Sequence, residues 1–110
     1  MKIAIVGSRD YPHPEKVRAL INNLPADTVV ISGGARGVDT WAEQAARARG
    51  LEVIIFPALW HAYGKRAGFI RNRQIVESAD KVVAFWDGLS KGTKMSIDIS
   101  QGMGKPTEVF

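Results

Sequence analysis

The chain reads as an α/β protein: a Rossmann-like three-layer sandwich with a five-stranded, mostly parallel sheet and helices on both faces. Three observations lead there. Four short segments are nearly unbroken runs of β-branched and other apolar residues, which is how strands read when both of their faces are covered. Helix-period segments lie between them, giving the order β-α-β-α-β-α-β-α-β. Polar, glycine-containing turns follow three of the strands, where such a sheet hands the chain to the next helix.

The strands are expected at Ile3 to Val6, Thr28 to Ile31, Val53 to Phe56 and Val82 to Trp86, with a shorter fifth at Pro106 to Phe110. The first helix is carried by Val17, Leu20, Ile21 and Leu24, spaced i, i+3, i+4, i+7, with Pro14 suited to its first turn. Val38, Trp41, Ala42, Ala45 and Ala46 give the second stripe, which Gly50 ends. Phe69 to Ala79 and Thr93 to Met103 give the third and fourth, the last stopped by Gly102 and Gly104. Right-handed crossovers then favour a sheet with the first strand in the centre. The one long connection, Pro57 to Lys65, carries Trp60, His61 and Tyr63, and long loops in compact domains tend to be functional.

A length of 110 residues suits one domain, 1–110, with a single core. The 45% hydrophobic and 24% charged composition is that of a compact soluble chain. There is no cysteine, which removes disulfides, thiolate nucleophiles and cysteine-held zinc. The opening MKIAIVGSRD is too short in apolar residues for a signal peptide, and no stretch approaches a membrane span, so a cytoplasmic protein without a membrane partner is expected. A net charge of +4 suits a phosphate-bearing partner without requiring one.

Ligands of open parallel sheets bind beyond the carboxyl ends of the strands. Strand one leaves through Gly7-Ser8-Arg9, strand two through Ser32-Gly33-Gly34-Ala35-Arg36-Gly37, and strand four through Asp87 to Gly92-Thr93, all on one edge. Glycine lets backbone N–H groups approach an anion, and the following helix adds its free N–H groups and positive dipole end. Arg36 would add a forked cation, and Asp39 would either favour the helix start or hold a ligand hydroxyl. The plainer reading is that these glycines only allow tight turns and close helix-on-sheet packing. Of the 15 Lys and Arg, eight (Arg9, Arg36, Lys65, Arg66, Arg71, Arg73, Lys91, Lys94) fall at or beside that edge, against Asp10, Asp39 and Asp87, so a positive field is expected there. Arg71 and Asn72 of "RNR" either clamp a phosphate and read a ribose or base, or form an exposed helical face.

No Walker A loop and no G-x-G-x-x-G occur, and no acid closes the strand after Gly7 or Gly33, so simple NAD dehydrogenase chemistry is not expected and no cofactor is assigned. His13 and His61, the only histidines, lack carboxylates at ligand spacing, so no metal is assigned. Ser8 and Ser32 suit a hydroxyl bonding phosphate better than a nucleophile. Trp41 belongs to the core stripe, whereas Trp60 and Tyr63 either stack a base or cover a sheet edge or subunit contact.

"SGGARGVD", then "RNRQIVESADKVVAFW", then Gly92-Thr93 resemble the SLOG superfamily, the Rossmann-like fold shared by DNA-processing protein A and the Lonely Guy phosphoribohydrolases. With "GSR" at Gly7 to Arg9, the chain is most similar to the small stand-alone YspA-like members of bacteria and phages, over essentially its whole length. That resemblance implies a nucleotide-derived ligand, with phosphate at "SGGARG" and at the Gly92-Thr93 helix start. It carries Gly7, Ser8, Arg9, Gly33, Gly34, Gly37, Asp39, Arg71, Asn72, Gly92 and Thr93 into the pocket. It also implies a homodimer, and a sensor or sequestering module in conflicts between phages and bacteria. The Lonely Guy segment P-G-G-x-G-T-x-x-E is not matched by "WDGLSKGTKMSID", which leaves Asp39, Asp87 or Asp98 as substitute acids for N-glycosidic hydrolysis or transfer on a nucleoside monophosphate. Single-stranded DNA binding through the basic edge and Trp60 is the third expectation. The further elements of DNA-processing proteins do not fit in this length.

Overall fold

The computed structural model describes residues 1–110. Five strands, β1 (Lys2–Gly7), β2 (Val29–Ser32), β3 (Glu52–Ile55), β4 (Lys81–Phe85) and β5 (Thr107–Val109), form one sheet in the order β3-β2-β1-β4-β5. Every neighbouring pair is parallel, and β1 is central. The expected "mostly parallel" sheet is thus wholly parallel. The helices are α1 (Pro14–Asn22), α2 (Val38–Ala48), α3 (Trp60–Tyr63), α4 (Ala67–Ser78) and α5 (Lys91–Gly102).

Alternation along each strand feeds two separate cores, which is why the apolar runs are unbroken. Ile3, Ile5, Val30, Val83 and Phe85 meet Val17, Ile21, Val38, Ala42 and Ala46 of α1 and α2. Ala4, Val6, Ile31, Val82 and Ala84 meet Ile75, Val76 and Ile97 of α4 and α5 on the opposite face. Trp41 packs, partly buried, against the first of these cores.

Departures from the expected boundaries have local causes. α5 starts two residues earlier than its apolar stripe, because Ser90 caps it: its Oγ accepts from the Thr93 N–H at 3.3 Å. α4 starts two residues earlier, running on from a 3₁₀ turn at Gly64–Arg66. The Pro57 to Lys65 connection is therefore not wholly irregular, since it holds α3 and leads into that turn. The carboxyl end of α1 has no glycine cap. Arg49 serves instead, its Nη1 donating to the carbonyls of Ile21 and Leu24, both at 2.7 Å.

Candidate functional site: a crevice between the first and fourth strands

Strand order runs one way from β1 to β2 and β3, and the other way from β1 to β4 and β5, so the connections diverge between β1 and β4. Such a switch point leaves a crevice beyond the strand ends. Here it has a volume of about 920 Å³. Gly7, Arg9, Asp10, Tyr11 and His13 line it from the β1 side, and Trp86, Asp87, Ser90, Gly92 and Thr93 from the β4 side. Asp39, Arg71 and Asn72 close a third wall, and Phe110 a fourth.

A chain of hydroxyls ties the two sides together below the crevice. Ser8 Oγ lies 3.4 Å from Thr93 Oγ1 and accepts from the Asp87 N–H at 3.1 Å. Thr93 Oγ1 donates to Ser90 Oγ at 3.1 Å. Ser8 is only 1% exposed, so its hydroxyl organises the floor rather than facing a ligand. Ser32 is likewise turned inward, donating to Glu43 Oε1 at 3.0 Å and accepting from the Gly34 N–H at 3.4 Å.

Asp39 is the most unusual group in the crevice. It is 6% exposed, and its Oδ2 accepts from the Ala35 N–H at 3.1 Å. Burial pushes its carboxyl up to about 6, against the opposing pull of that N–H and of the Arg71 guanidinium. Arg71 is itself held: Nη1 donates to the Gly33 carbonyl at 2.9 Å and Nε to Asn72 Oδ1 at 3.0 Å. Asn72 Nδ2 extends the link to the Gly92 carbonyl at 3.5 Å. A carboxylate near neutrality beside a fixed guanidinium can accept a hydrogen bond from a hydroxyl or exchange a proton close to pH 6.

Similarity to known proteins decides the family. A model of the YspA, cpYpsA-related SLOG family matches residues 1–63, more than half of the chain. The Gene 61 protein of Mycobacterium phage D29 is 36% identical over 119 aligned positions, spanning 99% of this chain and 95% of the phage protein. The chain belongs to the YspA/cpYpsA-related SLOG family. The fold is that of DNA processing protein A: the Streptococcus pneumoniae protein superposes with a TM-score of 0.86 at 23% identity over 98% of this chain. The Helicobacter pylori protein, described by its single-stranded DNA binding mode, gives 0.75 at 23% identity over 99% of this chain. This SLOG chain spans 49% of the first and 64% of the second.

Within this SLOG protein the expected site residues divide. Gly7, Arg9, Ala35, Asp39, Arg71, Asn72, Gly92 and Thr93 line the crevice together with Asp87. Gly33, Gly34, Arg36 and Gly37 do not. The bare backbone of the "SGGARG" turn is instead filled by the protein: a Cβ on Gly33 would lie 2.8 Å from Arg71 Nη1, and one on Gly37 2.5 Å from the Arg9 carbonyl oxygen. Close packing is thus the role of these two glycines, and Arg36 is exposed outside the crevice. Asp87 builds its own turn: Oδ1 accepts from the Leu89 and Ser90 N–H groups, both at 2.8 Å, which hold its carboxyl below the usual range. Asp98 is exposed, paired with Lys94 on the outer side of α5, and lines no part of the crevice.

The expected positive field also needs correcting at the crevice itself. Only Arg9 and Arg71 of the eight cations line it, and all three acids, Asp10, Asp39 and Asp87, do. Sequence reading missed Tyr11, His13, Trp86 and Phe110 as lining residues. Tyr11 and His13 directly follow the β1 exit, a signal that was available. Phe110 required the β4-β5 pairing, which no local pattern encodes.

Proposed function

We propose that the crevice binds a nucleotide-derived ligand carrying phosphate and ribose. The observation that carries this is Asp39: a carboxylate kept buried at the switch point, facing the same space as the amino end of α5 and the Arg9 guanidinium. Phosphate is seated at Gly92, in the first turn of a 12-residue helix whose positive dipole end faces the crevice, with Arg9 adding charge; the Thr93 N–H is already taken by the Ser90 cap. Arg9 takes part in no ion pair of the protein, so it is free to do so. Asp39 and Asn72 accept from ribose hydroxyls. The size of the crevice suits a ligand of this kind, and the SLOG assignment agrees with it.

A thermal-shift panel of AMP, ADP, ADP-ribose, NAD and cyclic nucleotides tests the reading. A ligand at about 100 times its Kd adds roughly 2.7 kcal/mol of stability. Arg9→Ala weakens that ligand by about tenfold or more, the loss of one charged hydrogen bond, whereas Arg36→Ala leaves it unchanged. If no member of the panel shifts the wild-type protein, the reading fails.

A second reading, single-stranded DNA binding, is supported by a separate surface. Trp60, 56% exposed, and Tyr63 stand beside Lys65 and Arg66, all exposed, which is the mixture of stacking faces and cations that single strands use. The Helicobacter pylori relative in fold is described as a single-stranded DNA binder. Oligonucleotide affinity that falls steeply with salt, and falls again with Trp60→Ala while the nucleotide panel stays silent, would select this reading.

A further inference from the structure

The crevice has one wall unlike the rest. Phe110 is stacked on Phe85, with ring centroids 5.3 Å apart and planes 20° from parallel. Phe85 is buried and meets Tyr11 edge-to-face at 5.5 Å and 69°, and Tyr11 meets His13 at 5.9 Å and 78°. Four rings, Phe85 at the end of β4, Tyr11 and His13 in the segment after β1 and Phe110 just past β5, thus form one continuous ladder. Its inner members, Phe85 and Tyr11, are locked in the core, while Phe110 remains 51% exposed and lines the crevice. Backbone bonds hold it there: the Phe110 N–H donates to the Ala84 carbonyl at 2.8 Å, and the Phe110 carbonyl accepts from the Trp86 N–H at 2.9 Å.

An exposed ring whose back is covered by another ring in a nearly parallel plane is a platform of fixed orientation. Phe85 covers one aromatic face, and half of the residue stays exposed at the crevice. Tyr11, 5% exposed, adds a phenol that also lines the crevice. The polar atoms Arg9, Asp39 and Gly92 lie elsewhere around the same space. A molecule that satisfies the whole lining is therefore planar and π-rich at one end, hydroxylated and anionic at the other.

We infer that Phe110 is the stacking platform for an aromatic nucleobase, with the Tyr11 phenol at the base edge. This rests on the nucleotide reading above and specifies which wall recognises the base. Stacking of a base on a protein ring is sequence-tolerant, so the platform accounts for holding a base and Tyr11 for choosing among bases.

The test separates the two readings by comparing AMP with ribose 5-phosphate, which shares the phosphate and sugar but has no base. In titration calorimetry the wild-type protein binds AMP about tenfold more tightly than ribose 5-phosphate, the worth of one stacked base. Phe110→Ala and Phe110→Leu both bring the two ligands within about threefold of each other and leave ribose 5-phosphate affinity unchanged, which also shows that the variants remain folded. Phe110→Trp keeps the wild-type preference. Equal affinities in the wild-type protein overturn the platform and leave the nucleotide reading standing. So does a Phe110→Leu variant that behaves like wild type, because that would mark an apolar seat rather than a stacking one. Binding of neither ligand overturns both.

Discussion

Gly37→Ala destabilises the protein far more than Gly64→Ala, although the two glycines have nearly the same backbone. Gly37 has φ 79° and ψ −127°, and Gly64 has φ 57° and ψ −132°, both of them conformations that L-residues rarely adopt. That strain costs roughly 1–3 kcal/mol at either position. At Gly64 nothing lies within 4 Å of where a Cβ would stand. At Gly37 the new atom lies 2.5 Å from the Arg9 carbonyl oxygen and 2.8 Å from its Cα, a collision with backbone that no rotamer relieves. Separating them forces the β1 exit away from the start of α2, and overpacking of this kind adds about 1–3 kcal/mol more. Urea denaturation of the two variants measures the difference directly, and equal losses would show that the loop yields without cost.

Asp39→Asn is expected to stabilise the protein at pH 8, by up to about 3 kcal/mol, the worth of a carboxyl displaced from 3.8 to about 6. The sign follows from the direction. A carboxyl whose folded value is raised is ionised in both states at pH 8, and there the fold bears the cost of burying the charge. As pH falls through 6 the folded protein takes up its proton while the unfolded chain remains ionised, so wild-type stability from this group rises and is complete below about pH 4. Asparagine carries no charge at any pH. Its advantage therefore shrinks between pH 6 and 4, which denaturation at pH 8, 6 and 4.5 resolves. The same variant loses affinity for any ligand whose hydroxyl Asp39 accepts. A gap between the two proteins that does not change with pH would refute the assignment of the raised value to Asp39.

The architecture was legible because strands covered on both faces have no alternative to an unbroken apolar pattern. The edge of the sheet carrying the site followed from strand direction alone. What the sequence concealed is the partition of that edge. Gly7, Gly33 and Gly37 look like anion-binding glycines, but Val38, Arg71 and the Arg9 backbone occupy the space that their missing side chains leave. A glycine motif reports that something comes close, not whether it is a ligand or the protein itself. Arg36 and Asp98 read as site candidates beside Arg9 and Asp39, yet both are exposed outside the crevice, Asp98 paired with Lys94. Phe110 reads as the end of a fifth strand, but nothing local places it at the crevice. Its place depends on Val82↔Thr107, Val83↔Glu108 and Ala84↔Val109, a register between segments more than 20 residues apart.

The hydroxyl floor has a consequence for synthesis. Ser8 and Thr93 are 85 residues apart in the chain, and Ser8 and Asp87 are 79 apart. A growing polypeptide can place β1 beside β2 early, but the opposite bank of the crevice arrives only once α5 has left the ribosome. Occupancy of the crevice is thus a property of the finished molecule, and a ligand held there strengthens the whole fold instead of one half of it.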